Sequence, residues 1–177
     1  MNRDSLYWLA LLLPFGCASL DDFDVERGIG EQRVQGNVLA GVLENFFAVP
    51  IPMDVDVASE AAARDSGTAE SAHLRALALF ITDASRSSGS DQDDFDFLDS
   101  VNVFIESTGT GTDLPRVRIA TASDISATQR LVFDVNGSVD LLPYSDEGSR
   151  FTSEVEGRVP PDDVSFAGTF TVRVDVF

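Results

Sequence analysis

Apolar and polar residues alternate through much of the chain. In VSFAGTFTVRVDVF, Val164, Phe166, Gly168, Phe170, Val172, Val174 and Val176 take every second position, with Ser165, Thr169, Thr171, Arg173 and Asp175 between them. Period two predicts a long antiparallel strand with one face on a core and one in water. Gly168 marks the expected place of a bulge. FLDSVNVFIES repeats the pattern with Val101, Val103 and Ile105 inward, and LPRVRIAT with Arg116 and Arg118 outward; FTSEVEGRV adds another strand. HLRALALFIT is apolar on both faces from Leu77 onward, as a central strand is. In AVPIPMDVDV the alternation is strict, but Pro50 and Pro52 remove donors along one side, which predicts an edge strand. LVFDV-NG-SVDLL reads as a tight hairpin, because Asn136-Gly137 suits a turn with positive φ at both central residues.

Other stretches are weaker. Val38, Leu39, Val42, Leu43 and Phe46 share one helical face, which predicts a short helix near residues 37–47 despite Gly36 and Gly41. Residues 58–72 are rich in alanine, serine and acids, a surface loop or a marginal helix. Residues 18–31 are acidic and contain glycines, which suggests a tether with a short strand near Phe23–Arg27. Together the pattern predicts an all-β fold, an antiparallel β-sandwich of Ig-like, Greek-key type with seven or eight strands. The expected organisation is residues 1–16 as a signal peptide, 17–31 as a tether and 32–177 as one domain.

The amino terminus decides where such a domain goes. Arg3 opens the chain, an apolar stretch runs from Leu6 to Phe15, and Gly16, Cys17, Ala18 and Ser19 follow. That is the anatomy of a secretory signal peptide. The stretch is too short for a membrane span of about 20 residues, and Pro14 interrupts it. Gly16-Cys17, with Leu13 nearby, resembles the lipobox of bacterial lipoproteins, although Pro14 stands where that family usually has leucine. The resemblance covers about the first 17 residues. It implies that Cys17 carries a diacylglyceryl group and anchors the protein to a membrane. With Ala18 next rather than aspartate, it implies sorting to the outer membrane of a Gram-negative envelope. The alternative is a small-x-small site, with cleavage after Ala18 and loss of the cysteine. Either way no thiol remains beyond Cys17, which suits an exported domain without disulfides.

Charge narrows the partners. The net charge is −18, and every basic residue apart from His73 is arginine. Such a surface repels phosphate backbones, so no nucleic-acid partner is expected. It also repels anionic headgroups, so membrane attachment must come from lipid. Solubility and avoidance of self-association explain the charge without any ligand. An envelope protein or a glycan remains as the expected partner.

The inventory for catalysis is short. His73 is the one histidine, a surface or hydrogen-bonded strand residue, and no serine stands in a G-x-S-x-G context for it to activate. Zinc ligands are too few. No P-loop or dinucleotide fingerprint occurs. SDQDDFDFLD offers Asp91, Asp93, Asp94, Asp96 and Asp99 as oxygen ligands, a weak calcium candidate, since Phe95 breaks the EF-hand pattern and the distal glutamate is missing. A solvated acidic loop is the simpler account. The expected role is therefore non-enzymatic binding or structure, with no required cofactor. Two alternatives make demands of their own. A carbohydrate-binding or carbohydrate-active domain needs exposed aromatics, for which Tyr144, Phe151 and Phe177 are candidates. A carrier of apolar ligands needs a cavity between the sheets.

Overall fold

The computed structural model describes residues 22–36, 51–53, 56–64, 66–84, 93–109 and 114–177. Ten elements follow one another: β1 (Phe23–Val34), α1 (Val57–Ala63), β2 (Ala69–Ile81), β3 (Leu98–Ser107), β4 (Val117–Ser123), β5 (Arg130–Val132), β6 (Asp134–Val135), α2 (Leu142–Glu147), β7 (Ser149–Gly157) and β8 (Val164–Val176). All strand pairs are antiparallel. They form two four-stranded sheets, ordered β1-β8-β2-β5 and β6-β4-β3-β7, around a shared apolar core. The fold is an all-β sandwich, as the alternation predicts. Among the described residues no helix is long and apolar enough to cross a membrane.

The strand β8 is central. It pairs with β1 on one side and β2 on the other, and its inward positions Val164, Phe166, Phe170, Val172 and Val174 are buried. Bulges keep apolar side chains inward where simple alternation would turn them out. In β2 the register slips between Leu74 and Ala76, so the buried set changes from Ala72 and Leu74 to Leu77, Leu79 and Ile81. Beyond the slip Ala78 is buried and Phe80 half-buried on the opposite face, which is why the segment reads as apolar on both faces. In β1 the slip lies between Ile29 and Gln32, opposite Gly168–Phe166, so the bulge expected at Gly168 sits on the partner strand. Asp163 fastens the far end of β1, accepting from Gly36 N–H at 2.8 Å and from Arg33. Those bonds, that from Gly36 first, hold its carboxyl below the usual aspartate range.

Four expectations change. The boundary between tether and domain at residues 31 and 32 falls inside β1, which is a full strand from Phe23. Its acids and glycines face outward, and only Val25, Ile29 and Val34 are buried. Residues Ala69–Ala72, read with the preceding loop, already belong to β2. The AVPIPMDVDV segment forms no strand in its described part. Ile51 and Met53 are buried with Pro52 exposed between them, and Val57 begins α1 instead. An extended chain alternates its side chains without a ladder, and the prolines withhold the donors a ladder requires. The Asn136-Gly137 hairpin is absent too. Phe133, whose N–H donates to Leu77 O at 3.0 Å, carries the chain from β5 in one sheet to β6 in the other. Asn136 then closes an ordinary turn, with Oδ1 accepting from Ser138 N–H at 3.3 Å and Oγ at 2.7 Å, and the chain enters α2. Neither turn residue has positive φ. The helix expected near 37–47 lies outside the described residues.

Candidate functional site

Two short helices close one end of the sandwich. Asp56 caps α1, accepting from Ser59 N–H at 2.9 Å and Ser59 Oγ at 2.7 Å. The serine hydroxyl, then the backbone N–H, holds its carboxyl below the ordinary aspartate range, so it stays ionised at neutral pH. The helix turns Val57 and Ala61 to the core. Glu60 on α1 pairs with Arg27 of β1, and the Arg64 guanidinium lies 4.5 Å from the Phe23 ring centre.

The helix α2 is held by the strand beside it. Asp140 Oδ1 accepts from Ala72 N–H of β2 at 2.9 Å and from Leu142 N–H at 3.0 Å, while Leu141 N–H donates to Ala72 O at 2.7 Å. A side-chain carboxylate here takes the part of a neighbouring strand's carbonyl. Pro143 starts the helix without needing a donor. Gly148, at φ +80°, ends it in a conformation that disfavours any side chain. Tyr144 is buried and donates to Pro115 O at 2.7 Å; burial raises its pKa.

Between these helices and the sheets lies a cleft of about 370 Å³. One wall is Leu74, Phe170 and Val172 from the β1-containing sheet, and the opposite wall is Ile105 and Phe151. Met53, Val57 and Leu141 line it from the helical end. Apart from the half-buried Phe151 these side chains are buried. The polar lining includes Asp56, Ser145, Asp146 and Ser149. Asp56 and Asp146 are exposed and so stand at the mouth. Well-packed interiors leave few voids larger than a water molecule, and pockets for small molecules span roughly 300–1,000 Å³. The cleft falls within that range, with an apolar interior and a polar rim.

The residues singled out by sequence lie elsewhere. Cys17 and Asp91 are outside the described residues. Asp93 is buried before β3, and its carbonyl accepts from Gln129 Nε2 at 3.5 Å. Asp94 Oδ1 accepts from Asp96 N–H at 2.8 Å, closing a local turn, and the Asp96 carboxylate accepts from Arg158 Nη2 at 2.7 Å. Asp99 faces outward from β3. Among the described residues no three His, Cys, Asp or Glu side chains are placed to hold a metal ion. His73 has both ring nitrogens within hydrogen-bond distance of partners, Nδ1 at 3.0 Å from Val139 O and Nε2 at 3.1 Å from Ser71 Oγ. Ser71 Oγ lies closer to Asp175, at 2.6 Å.

Of the three aromatic candidates for a glycan platform, Tyr144 is in the core, Phe151 lines the cleft and Phe177 is exposed. Phe104, half-buried on β3, has the Arg116 guanidinium 3.6 Å from its ring centre. Sequence reasoning missed the cleft because its lining comes from five separated segments. The one signal available was the demand for an inter-sheet cavity made by an apolar-ligand carrier. Compared with models of known protein families and with curated proteins, the chain matches none.

Proposed function

We propose that this chain is an exported, lipid-anchored envelope protein that acts by binding, holding a small apolar ligand between its two sheets. The observation that carries the reading is the cleft: about 370 Å³ at one end of the sandwich, with buried apolar side chains from both sheets at its base and polar groups lining the rest. Emptying it of water and filling it with hydrocarbon contributes about 25 cal/mol for each Å² of apolar surface covered. The anchor rests on Gly16-Cys17 after the apolar stretch. Two acyl chains suffice for stable attachment, where one is marginal.

Two measurements test the two halves. The full-length Cys17→Ala chain is expected to enhance and blue-shift the fluorescence of phenylnaphthylamine, saturating at one probe per chain. Adding Val172→Phe pushes a ring into the cleft and is expected to abolish that signal while the chain still unfolds in one cooperative transition. Probe binding that Val172→Phe leaves intact would place the ligand elsewhere and end the apolar-cleft reading. For the anchor, cells fed radiolabelled palmitate are expected to label the wild-type chain and not Cys17→Ala. A wild-type chain that stays unlabelled and washes from membranes would remove the anchor from the proposal.

A further inference from the structure

The charges around the cleft bear on which end of an amphiphile it can accept. Among the described residues its ionisable lining side chains are Asp56 and Asp146, and no arginine or histidine lines it. The Asp56 carboxylate is held in place by two bonds from Ser59 and stands at the N-terminal end of α1. Asp146 stands on α2, so an exposed aspartate from the start of α1 and another from α2 both line the cleft. Among the described lining residues Ser145 and Ser149 carry hydroxyls, able to accept as well as donate. The chain as a whole carries −18, which raises the local concentration of cations and depletes anions.

We infer that the ligand of this cleft is a single-chain amphiphile whose tail lies among Leu74, Ile105, Phe170 and Val172 and whose cationic amine head sits between Asp56 and Asp146. The inference rests on the apolar-cleft reading and adds the sign of the head group. A fatty carboxylate of the same length would bring a third negative charge to a mouth that already holds two. An alcohol would gain only the hydroxyl contacts. An ammonium gains two opposite charges at the edge of a low-dielectric wall, where Coulomb attraction exceeds its value in bulk water.

The test is displacement of phenylnaphthylamine from the full-length Cys17→Ala chain at pH 7 by decylamine, decanol and decanoate. These share a tail length and differ in head charge. The expected order is amine, then alcohol, then carboxylate, with amine over carboxylate by about tenfold at low salt. That ratio is expected to shrink toward parity near 1 M salt, where the Debye length is about 3 Å. Asp56→Asn with Asp146→Asn is expected to abolish the preference of amine over carboxylate while phenylnaphthylamine still binds. Asparagine caps a helix about as well as aspartate, so α1 keeps its cap in this variant. Decanoate binding as tightly as decylamine, or a preference that survives the double substitution, overturns the cationic head group and leaves the apolar cleft standing. Failure of the probe itself to bind overturns both.

Discussion

Replacing Phe166 with alanine is expected to destabilise the protein by about 3–5 kcal/mol, the loss typical of a large aromatic removed from a packed core. At about 2–4 °C per kcal/mol for a domain of this size, Tm falls by roughly 10 °C. Phe166 is 0 % exposed and lies on β8, paired with Gln32 of β1 and Ile81 of β2. Its ring meets Phe95 edge-on, with centroids 6.2 Å apart, and Phe95 lies 6.4 Å from Phe97. Phe95 and Phe97 immediately precede β3 in the opposite sheet, so the cluster joins the two layers. Such aromatic pairs add about 0.5–1.5 kcal/mol beyond the area they bury. The site has little freedom to collapse, because its walls are hydrogen-bonded strands on both sides. Urea denaturation of the Cys17→Ala chain with and without Phe166→Ala measures the difference. A loss below about 1 kcal/mol would mean that the aromatic cluster is not what joins the sheets there.

Gly168→Val should be worse still, and for a different reason. On intrinsic preference the change favours the strand, since glycine in a strand interior costs about 0.5–1 kcal/mol. Gly168 does not have positive φ, so conformation alone would permit a side chain. Space does not. A Cβ at this position would lie 2.7 Å from Ala78 O, 2.7 Å from Leu79 Cδ2 and 3.1 Å from Ile29 Cδ1. The leucine and isoleucine tips can move, whereas the carbonyl belongs to the β2 backbone, which pairs with β8 along most of its length. Separating those strands breaks ladder bonds at the centre of a sheet, and overpacking alone costs about 1–3 kcal/mol. The expected outcome is a sharp fall in soluble yield for Gly168→Val and a measurable drop in Tm for Gly168→Ala. An alanine variant as stable as the parent would show that the close approach of β2 and β8 is not required.

The strands that the sequence made legible are those whose burial repeats without interruption. In β8 from Phe166 to Val176, and in β3 from Ser100 to Glu106, buried and less buried positions alternate, so counting by twos identifies both the element and its buried face. The strand β1 was only partly legible because Arg27, Gly28, Gly30 and Glu31 dilute the pattern and a bulge then shifts it. The Asn136-Gly137 pair misled for a physical reason. A hairpin turn needs two strands that pair with each other, but β6 before the turn bonds to β4, and residues 138–141 after it form no strand before α2 begins. The local preference yielded to the partners that were available. Asp96 read as a solvated charge, with calcium ligation only the weaker reading, and the approach of Arg158 from a remote segment decides what it touches.

Amphipathic alternation, the lack of thiols after Cys17, the arginine-only basic set and the large negative charge were therefore properties of the chain by itself, because each depends on residue type and near-neighbour spacing. They suffice for an all-β sandwich with an acidic exterior. Sheet order, the crossing at Phe133, the forbidden volume at Gly168 and the cleft between α1 and α2 depend on which segments meet in space. Residues from Met53 to Val172 converge on that cleft. No local pattern encodes their meeting, since it is created by strand pairing and bulges that bring distant apolar side chains to the same end of the two sheets.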